Sequence, residues 1–328
     1  MSLPIALDAM GGDHAPHEIV EGARRAVDEF GLEVTLVGVP ERVGDTKGLP
    51  LVACTEVIEM DDEPGSSVRQ KKDSSLVRAA ELVRDGHAAA MVSAGNTGAT
   101  MASALLRMGR LPGVIRPCIA TVMPNPGRSP SILLDSGANS ECSPEMLVQF
   151  AHLGSAFVRT HYGVASPSVG LLSIGEESSK GSPLVKETHE LLRQAPGLNF
   201  FGNVEGRDLV PAPVDVVVTD GFTGNVALKT LEGAFRFVMN TLLEALDDDE
   251  ISREAGRTLM PYLIPRAESL RPESVGGSML LGLKGVCIIS HGSSNATAIM
   301  NALRVADTMV RSGVVEATKF AIRPDQEG

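Results

Sequence analysis

Residue types that mark specialised sites are scarce in this chain of 328 residues. Tryptophan is absent, and the four cysteines, Cys54, Cys118, Cys142 and Cys287, include no close pair that could hold a metal or form a redox motif. No apolar run approaches the ~18 residues of a membrane span, and no basic, apolar leader opens the sequence. A net charge of -12 argues against general nucleic-acid binding. We therefore expect a reduced, cytoplasmic protein without a metal site.

What the chain does contain is a regular alternation of strands and helices, which is typical of an α/β fold. Short apolar or β-branched runs predict ten strands, at 4–10, 34–39, 51–57, 88–93, 118–123, 131–135, 168–174, near 200, 214–219 and 285–290. Residues 61–75 are predicted as a polar loop. No linker divides the sequence, so 1–328 is predicted as a single domain, although this length exceeds the usual one-core limit of ~250–300 residues. A mostly parallel sheet with helices on both faces is the expected architecture.

The stretch from 214 to 233 shows how a ligand could be held in such a fold. A buried strand at 214–219 is followed by DGFTGN and then by a helical pattern. Gly221 and Gly224 would let an anion approach the unpaired N–H groups of the first helical turn. Alternatively, Gly221 only supplies a left-handed turn. Asn225 would start this helix, and a capping role is compatible with ligand contact.

Similar small, polar, glycine-bearing loops follow six of the predicted strands. They are MGGDHAP, SAGNTGA, DSGANSE, SIGEESSKG, TDGFTGN and SHGSSN. If all the strands are parallel, these loops converge on one edge of the sheet. Their backbone N–H groups and short hydroxyl or amide side chains suit a phosphate ligand.

Taken in order, DAMGGDHAP, VRQKKDSS, SAGNTGA, DSGAN, SIGEESSKG, DGFTGN and HGSSN resemble the phosphate acyltransferases of bacterial phospholipid synthesis. The resemblance covers most of the chain. It implies transfer of a long-chain fatty acyl group from acyl carrier protein to inorganic phosphate, which gives acyl phosphate for phosphatidic acid synthesis. It also implies a Rossmann-like three-layer α/β/α sandwich, similar to isocitrate and isopropylmalate dehydrogenases and to phosphotransacetylase. The implied enzyme is a homodimer that acts from the cytoplasm at the inner face of the membrane, where a membrane glycerol-3-phosphate acyltransferase could accept the product.

The residues are compatible with this chemistry. Phosphate attacking a thioester needs an anchored dianion and an oxyanion site, whereas the leaving thiol, with a pKa near ~8.5, needs little protonation. No GxSxG elbow is present and no cysteine lies in the six loops, so direct transfer is expected rather than an acyl-enzyme. No cofactor is implied. Two alternatives stay open: a phosphotransacetylase-like enzyme that uses acyl-CoA, and a non-catalytic acyl-carrier or metabolite-binding regulator.

Candidate site residues come from the loops and from the resemblance. The catalytic candidates are Lys180, Asn225, His14 and His291. Substrate or phosphate binding is assigned to Asp8, Gly11, Gly12, Asp13, Asn96, Thr97, Gly98, Asn139, Gly175, Glu176, Gly221, Thr223, Gly224, Ser293 and Asn295. Several of these residues also have a purely structural alternative. Lys180 could be a solvated surface lysine, and the two histidines could simply bond their neighbours. Asn96 and Thr97 could simply cap a helix, and Asp8 and Asp13 could cap the helix near His17 or orient a lysine.

Residues 225–272 are predicted to form a projecting helical hairpin. Its first helix carries apolar residues beyond the ~100° stripe of one core contact, which favours a homodimer. Arg253, Arg257, Arg266 and Arg271 on the second helix could dock acyl carrier protein, although interleaved glutamates make a solvated mixed face an alternative. The resemblance implies membrane contact at the hairpin tip, between 246 and 265, where 259–264 is apolar but 247–250 is acidic. Closing the dimer or the core is the alternative role for the apolar cluster.

Overall fold

The structure is a computed structural model that describes residues 3–125, 127–269 and 276–322. Within these ranges, one sheet contains the strands β1 (Ile5–Asp8), β2 (Val34–Gly38), β3 (Leu51–Ala53), β4 (Ala90–Ser93), β5 (Cys118–Met123), β6 (Ser131–Leu134), β7 (Ser168–Leu172), β8 (Asn199–Val204), β9 (Val216–Val218), β10 (Ser278–Leu281) and β11 (Val286–Ile289). The helices are α1 (His17–Phe30), α2 (Pro40–Val43), α3 (Pro64–Gln70), α4 (Ser75–Arg84), α5 (Thr97–Arg107), α6 (Pro144–Tyr162), α7 (Pro183–Gln194), α8 (Gly221–Ala245), α9 (Glu250–Ser269), α10 (Ala296–Ser312) and α11 (Val314–Ala321).

The sheet has the strand order β3-β2-β1-β4-β11-β10-β5-β6-β9-β7-β8. Seven neighbouring pairs are parallel and three are antiparallel. Helices α1, α6 and α10 pack on one face, and α4 and α5 pack on the other. The predicted α/β sandwich with a mostly parallel sheet is therefore confirmed.

Strand β10, which the sequence pattern does not predict, runs antiparallel to both β11 and β5, so these two neighbours still point the same way. The sheet changes direction between β5 and β6, which are antiparallel. The first half-sheet (β3, β2, β1, β4, β11) and the second half-sheet (β6, β9, β7, β8) consequently point in opposite directions. The expectation that all six loops share one edge is wrong, because each half-sheet sends its loops to a different edge.

Alternation along each central strand divides the apolar core. In β1, Leu7 faces the core under α1 and α10, and Ala6 faces the core under α4. In β6, Leu134 faces the first of these cores, whereas Leu133 belongs to a third core that includes Leu228 at the base of α8. Helix α8 is therefore anchored on the second half-sheet through its first two turns.

Residues 61–75 contain helix α3, and the prediction of a loop throughout this stretch is wrong. Glu63 caps the helix, because its carboxylate accepts from the N–H groups of Gly65 at 3.1 Å and Ser66 at 2.6 Å. Pro64 follows at the first helical position, where a missing N–H costs nothing. The acidic cap before a proline was the available signal.

Helices α8 and α9 are joined by a short turn at 246–249, and α8 starts at Gly221 rather than at Asn225. At the usual rise, its 25 residues span ~37 Å. Its buried residues are Gly221, Gly224 and Leu228, all near its start. The rest of α8 therefore projects from the sheet with its side chains exposed or half-buried.

The apex of the hairpin is acidic, since the turn between α8 and α9 contains Asp247, Asp248 and Asp249. The apolar cluster 259–264 lies in the second half of α9, with Pro261 and Pro265 inside the helix. The predicted tip at 246–265 is thus resolved into an acidic turn and a separate apolar segment. No described helix combines the length and the apolar composition needed to span a bilayer.

Candidate active site

A cavity of about 450 Å³ lies where the two half-sheets meet. Its walls come from the start of α5, strands β5 and β10, the β6 and β11 loops, and one face of α8. Among the predicted site residues, Thr97, Asn225, His291 and Ser293 line it. The cavity thus joins loops from both half-sheets although these leave the sheet at opposite edges.

Three hydroxyl groups form a connected floor on strands that border the reversal. Thr121 in β5 bonds Ser136 after β6 at 2.6 Å and Ser278 in β10 at 2.8 Å. Ser136 also donates to the carbonyl of Ile119 at 3.2 Å. Hydroxyls can turn to donate or accept, so this floor can bind a polar ligand. None of the three was predicted, because their meeting depends on the antiparallel pairing of β5 with β10 and with β6.

The β11 loop places His291 on the cavity wall in a defined tautomer. The backbone N–H of Ser293 points to His291 Nδ1 at 3.2 Å, and the Ser293 hydroxyl lies 2.8 Å from the same nitrogen. A backbone N–H can only donate, so Nδ1 accepts and the ring proton of neutral His291 sits on Nε2. The imidazole can therefore offer Nε2–H to a ligand.

Helix α8 brings Asn225 to the cavity from its second turn. The capping residue is Asp220, whose carboxylate accepts from the N–H and the hydroxyl of Thr223 at 2.9 and 2.7 Å. Asn225 is therefore not the cap, and its amide side chain is exposed beside the cavity. The capping role proposed for Asn225 is wrong, because the helix starts four residues earlier.

The glycines of α8 serve packing against the β6 loop. The N–H of Gly221 donates to the carbonyl of Asn139 at 2.8 Å, and a Cβ there would lie 2.6 Å from that oxygen. A Cβ at Gly224 would collide with the carbonyl oxygen of Asp135. The N–H groups of Gly221, Thr223 and Gly224 thus have partners within the protein, and the assignment of these residues to phosphate binding stays a prediction.

Asp135, at the end of β6, organises this loop and was missed. Its buried carboxylate accepts from the N–H groups of Ile119, Gly137, Ala138 and Asn139 and from the Asn139 side chain, at 2.8 to 3.2 Å. Burial raises the pKa of Asp135, although the N–H donors, Ala138 first, favour the charged form and lower it. The signal was an aspartate followed by small residues at the end of a buried strand.

Asp8 is the corresponding carboxylate of the first half-sheet. It is buried and accepts from the Ser93 hydroxyl at 2.7 Å and the N–H of Met10 at 3.1 Å. Burial raises the pKa of Asp8, against the lowering effect of hydrogen bonds from Ser75, Ser93, Met10 and Gly11. A Cβ at Gly11 would lie 2.5 Å from Asp8 and 2.6 Å from the nitrogen of Gly95. Asp8 and Gly11 thus hold the β1 and β4 loops together and do not line the cavity described above.

The rest of the β1 loop is tied to the β11 loop. The N–H of Asp13 donates to the carbonyl of Gly292 at 2.8 Å. Gly12 has a φ of +114°, and a Cβ there would lie 3.2 Å from the same carbonyl, so only glycine suits the position. His14 is exposed and does not line the cavity.

Two of the predicted asparagines cap helices with their side chains. Asn96 accepts from the N–H of Ala99 at 3.0 Å and donates to the carbonyls of Met60 and Asp62. Asn295 accepts from the N–H of Ala298 at 3.0 Å. The structure places Gly98 in the first turn of α5, where a Cβ would lie 2.6 Å from Pro64. Thr97 is the member of this group that reaches the cavity.

The β7 loop carries Gly175, Glu176 and Lys180, and none of these residues lines the cavity. Lys180 is exposed, and Glu176 pairs with Arg207 at 3.3 Å. Strands β7 and β9 are parallel neighbours, so the loops that carry Lys180 and Asn225 leave the same edge of the second half-sheet. The structure brings these loops to one edge while leaving Lys180 outside the cavity.

Charged side chains on α8 stand beside Asn225. Lys229 pairs with Glu232 at 2.7 Å, and Arg236 follows one turn later, all of them lining the cavity. Neither Lys229 nor Arg236 was among the candidate site residues predicted from the sequence. Among the described residues, no group of three His, Cys, Asp or Glu side chains could hold a metal ion. The wall therefore offers two cations and one anion to a ligand.

Comparison with known proteins gives a consistent result over nearly the whole length. The family described as "Fatty acid synthesis protein" matches residues 3–317. The phosphate acyltransferase of Desulfitobacterium hafniense strain Y51 is 47% identical over 323 residues, which cover 96% of each chain. The phosphate acyltransferase of Nostoc sp. strain PCC 7120 is 44% identical and covers 95% of this chain and 94% of its own.

Solved structures share the fold at low sequence identity. A phosphotransacetylase from Streptococcus pyogenes superposes with a TM-score of 0.63 at 17% identity, covering 96% of this chain and 94% of its own. A 4-hydroxythreonine-4-phosphate dehydrogenase from Klebsiella pneumoniae has a TM-score of 0.52 at 13% identity, covering 94% of this chain and 100% of its own. These neighbours support a Rossmann-like sandwich.

Proposed function

This chain belongs to the phosphate acyltransferase family, a family of acyl-transferring enzymes, and we propose that it uses acyl carrier protein as the donor. Inorganic phosphate attacks the thioester of a long-chain acyl group directly. The products are acyl phosphate, which feeds phosphatidic acid synthesis, and the free carrier thiol. The alternative donor, acyl-CoA, is favoured only by the shared fold of the phosphotransacetylase.

The observation that carries this proposal is the cavity between the half-sheets, because it combines the groups that acyl transfer to phosphate requires. Asn225 and the Nε2–H of His291 are donors for the oxyanion of the tetrahedral intermediate. Lys229 and Arg236 supply positive charge for the anionic reactants. Lys180, at the edge shared by the β7 and β9 loops, is proposed to bring a further cation to the phosphate.

Direct attack by phosphate is supported by the state of the cysteines. Cys54, Cys118 and Cys287 are buried, and Cys142 is half-buried. Burial raises the pKa of the Cys142 thiol to about 11, so very little thiolate is present at neutral pH. None of the four lines the cavity. A cysteine nucleophile is therefore disfavoured on both position and ionisation.

A steady-state assay of acyl phosphate formation tests the proposal. Hexadecanoyl-acyl carrier protein and phosphate should give hexadecanoyl phosphate, and the CoA thioester should be a poorer donor by kcat/KM. A preference for the CoA thioester would favour the phosphotransacetylase-like alternative. Binding of the carrier without turnover would indicate the non-catalytic regulator.

Docking of acyl carrier protein is proposed at the arginines of α9. Arg253 pairs with Asp247 at 2.7 Å and Arg257 pairs with Glu254 at 3.3 Å, and both side chains are more than half exposed. Exposed pairs are weak and exchange readily for a partner's carboxylates. Arg266 is also exposed, and Arg271 lies outside the described residues. If docking is electrostatic, the KM for the carrier should rise steeply with salt; a KM independent of salt would contradict it.

A homodimer is proposed on the outward face of the hairpin. Phe237 and Val238 of α8 are 71% and 59% exposed, and Leu242 is 37% exposed. Apolar side chains left open in this way favour a second copy as the covering surface. Sedimentation should give a dimer at micromolar concentration, and a wholly monomeric protein would contradict the proposal.

Peripheral contact with the inner face of the membrane is proposed at the apolar segment of α9 rather than at the acidic apex. Leu259, Tyr262 and Ile264 are exposed there. Partial burial of a few side chains gives weak, reversible attachment, which would bring acyl phosphate near a membrane glycerol-3-phosphate acyltransferase. Wild type should float weakly with anionic vesicles, and the double variant Leu263→Glu plus Ile264→Glu should not. A wild type that stays entirely with the soluble fraction would contradict this contact.

A further inference from the structure

One side of α8 presents polar side chains to the cavity along most of the helix. The members of this polar row are Asn225, Lys229, Glu232, Arg236 and Asn240. They are four, three, four and four positions apart, so they fall within a sector of ~80° around the helix. Phe235 and Met239 lie beside the row and also line the cavity. The wall that α8 forms is therefore amphipathic and remains polar at its outer end.

Arg236 supplies the net charge of the polar row. Lys229 and Glu232 pair with each other at 2.7 Å, so their charges cancel. Arg236 is exposed and forms no ion pair with any residue that the structure describes. A guanidinium group can bind one phosphate group through two parallel N–H bonds. The outer end of the cavity is thus equipped for an anion other than the phosphate that attacks the thioester.

The distance between Asn225 and Arg236 indicates which anion this is. The two residues are eleven positions apart, or ~16 Å along the helix. In an acyl carrier protein, a pantetheine arm joins the thioester to a phosphodiester. That arm has about thirteen bonds, and at the ~3.3–3.6 Å that three bonds of an extended peptide span, it reaches ~15 Å. Lys229 lies only ~6 Å along the helix from Asn225, which is too near for that phosphodiester.

The chemistry of the arm matches the wall between these two residues. Pantetheine carries amide groups and a hydroxyl group, which need polar partners, and methyl groups near its phosphate end. Glu232 can accept from an amide N–H, and Phe235 and Met239 offer apolar contact beside Arg236. A fatty acyl chain in the same place would cover Arg236 without giving it a partner, which is unfavourable for a charged group.

We propose that this face of α8 binds the pantetheine arm of the donor and that Arg236 binds its phosphodiester. The inference rests on the proposed acyl transfer and adds a residue that selects the donor. With the thioester carbonyl at Asn225 and His291, the arm runs toward the turn between α8 and α9. Arg253, proposed to dock the carrier, pairs with Asp247 at that turn. CoA carries the same arm, so the inference does not depend on which donor is preferred.

The test compares octanoyl-pantetheine with octanoyl-phosphopantetheine as donors in the acyl phosphate assay. Wild type should prefer the phosphorylated donor by about tenfold in kcat/KM, as expected for a charge-assisted hydrogen bond at an exposed site. Arg236→Ala should reduce this preference to less than about twofold and leave turnover of octanoyl-pantetheine unchanged. Arg236→Lys keeps the charge but loses the paired N–H bonds, so it should retain part of the preference.

Two further variants show whether the effect belongs to Arg236. Arg193→Ala removes an exposed arginine of α7 that does not line the cavity, and it should leave the preference unchanged. Lys229→Ala should lower kcat/KM for both donors alike, because Lys229 lies one helical turn from Asn225. Loss of the preference in Lys229→Ala but not in Arg236→Ala would overturn the inference.

A competition measurement covers the case in which the small donors turn over too slowly. Phosphopantetheine should inhibit the reaction of octanoyl-acyl carrier protein about tenfold better than pantetheine, and Arg236→Ala should remove that difference. A wild type that treats the two compounds alike would overturn the inference while leaving acyl transfer intact. Absence of acyl phosphate with octanoyl-acyl carrier protein itself would instead contradict the proposed function.

Discussion

Each half-sheet has a loop organised around a buried aspartate, but the groups that contact the two carboxylates differ. Each ends a central strand in a buried aspartate whose pKa is raised by burial, Asp8 in the first and Asp135 in the second. Asp8 is held by the hydroxyls of Ser75 and Ser93 and the N–H groups of Met10 and Gly11, whereas Asp135 gathers five N–H groups from strand β5 and its own loop. The second loop is therefore shaped around its carboxylate, and the first is shaped mainly by glycine contacts such as that of Gly11 with Gly95.

This difference in contacts indicates that the β6 loop is the one that must be held rigid. The β6 loop supports the base of α8 through Asn139 and Asp135, so the position of Asn225 depends on it. The β11 loop supports His291 through contacts within the loop itself. If this comparison is correct, substitutions in the β6 loop should lower both the free energy of unfolding and kcat. Substitutions in the loops of the first half-sheet should lower them less.

The largest effect is expected for Asp135→Ala. Five buried or half-buried N–H groups would lose their acceptor, and each unsatisfied group costs about 1–3 kcal/mol before the structure relaxes. We therefore expect the free energy of unfolding to fall by about 3–5 kcal/mol. Asp8→Ala should cost less, about 1–3 kcal/mol of unfolding free energy, because two of its partners, Ser75 and Ser93, are hydroxyls that can turn to other acceptors. Urea unfolding measures both, with the exposed Asp13→Ala as control. Equal losses of unfolding free energy in Asp8→Ala and Asp135→Ala would contradict the difference between the two half-sheets.

The next effect concerns the donors on the two sides of the cavity. Asn225→Ala should lower kcat by ~10²–10³, the usual cost of one oxyanion donor. His291→Ala removes the second oxyanion donor and should lower kcat by ~10², the low end of the same range, because Asn225 still donates to the oxyanion. Val226→Ala, at the next position of α8, is the control. A larger loss for His291 than for Asn225 would move the oxyanion site to the first half-sheet.

Lys180→Ala tests whether the β7 loop acts together with α8. We expect kcat/KM for phosphate to fall by up to ~10², mainly through a higher KM, because a flexible cation on an exposed loop anchors the phosphate dianion. Lys186→Ala, on the helix after the same loop, provides a control with the same charge change. Near-normal activity of Lys180→Ala at low phosphate would remove this residue from the site.

The smallest effect is expected at Cys142 in the β6 loop. Cys142→Ser should stay within about twofold of wild-type activity, because its thiol is not a nucleophile in direct transfer. Since its pKa is raised to about 11, alkylation by iodoacetamide should be slow at pH 8 and accelerate as the pH rises toward that value. Rapid alkylation at pH 7 with loss of activity would contradict direct attack by phosphate.

Local sequence determined the elements, because their signals act within one turn or strand. Asn96, Ser143 and Asn295 cap the helices that follow them, as short polar side chains before an apolar helical pattern predict. The resemblance to the family likewise depended on ordered motifs. The single domain and most of the assigned site roles stay predictions.

Only the tertiary structure decided how these elements combine. Strand β10 has four residues, Ser278–Leu281, separated by a short turn from β11, and an apolar run of that length does not reveal its direction. Strand β10 brings Ser278 next to Thr121, while the antiparallel pairing of β5 with β6 reverses half of the sheet and leads to Ser136. The burial of Asp135 depends in the same way on a backbone N–H sixteen residues away, at Ile119. Pairing between distant strands sets both, and no local pattern records it.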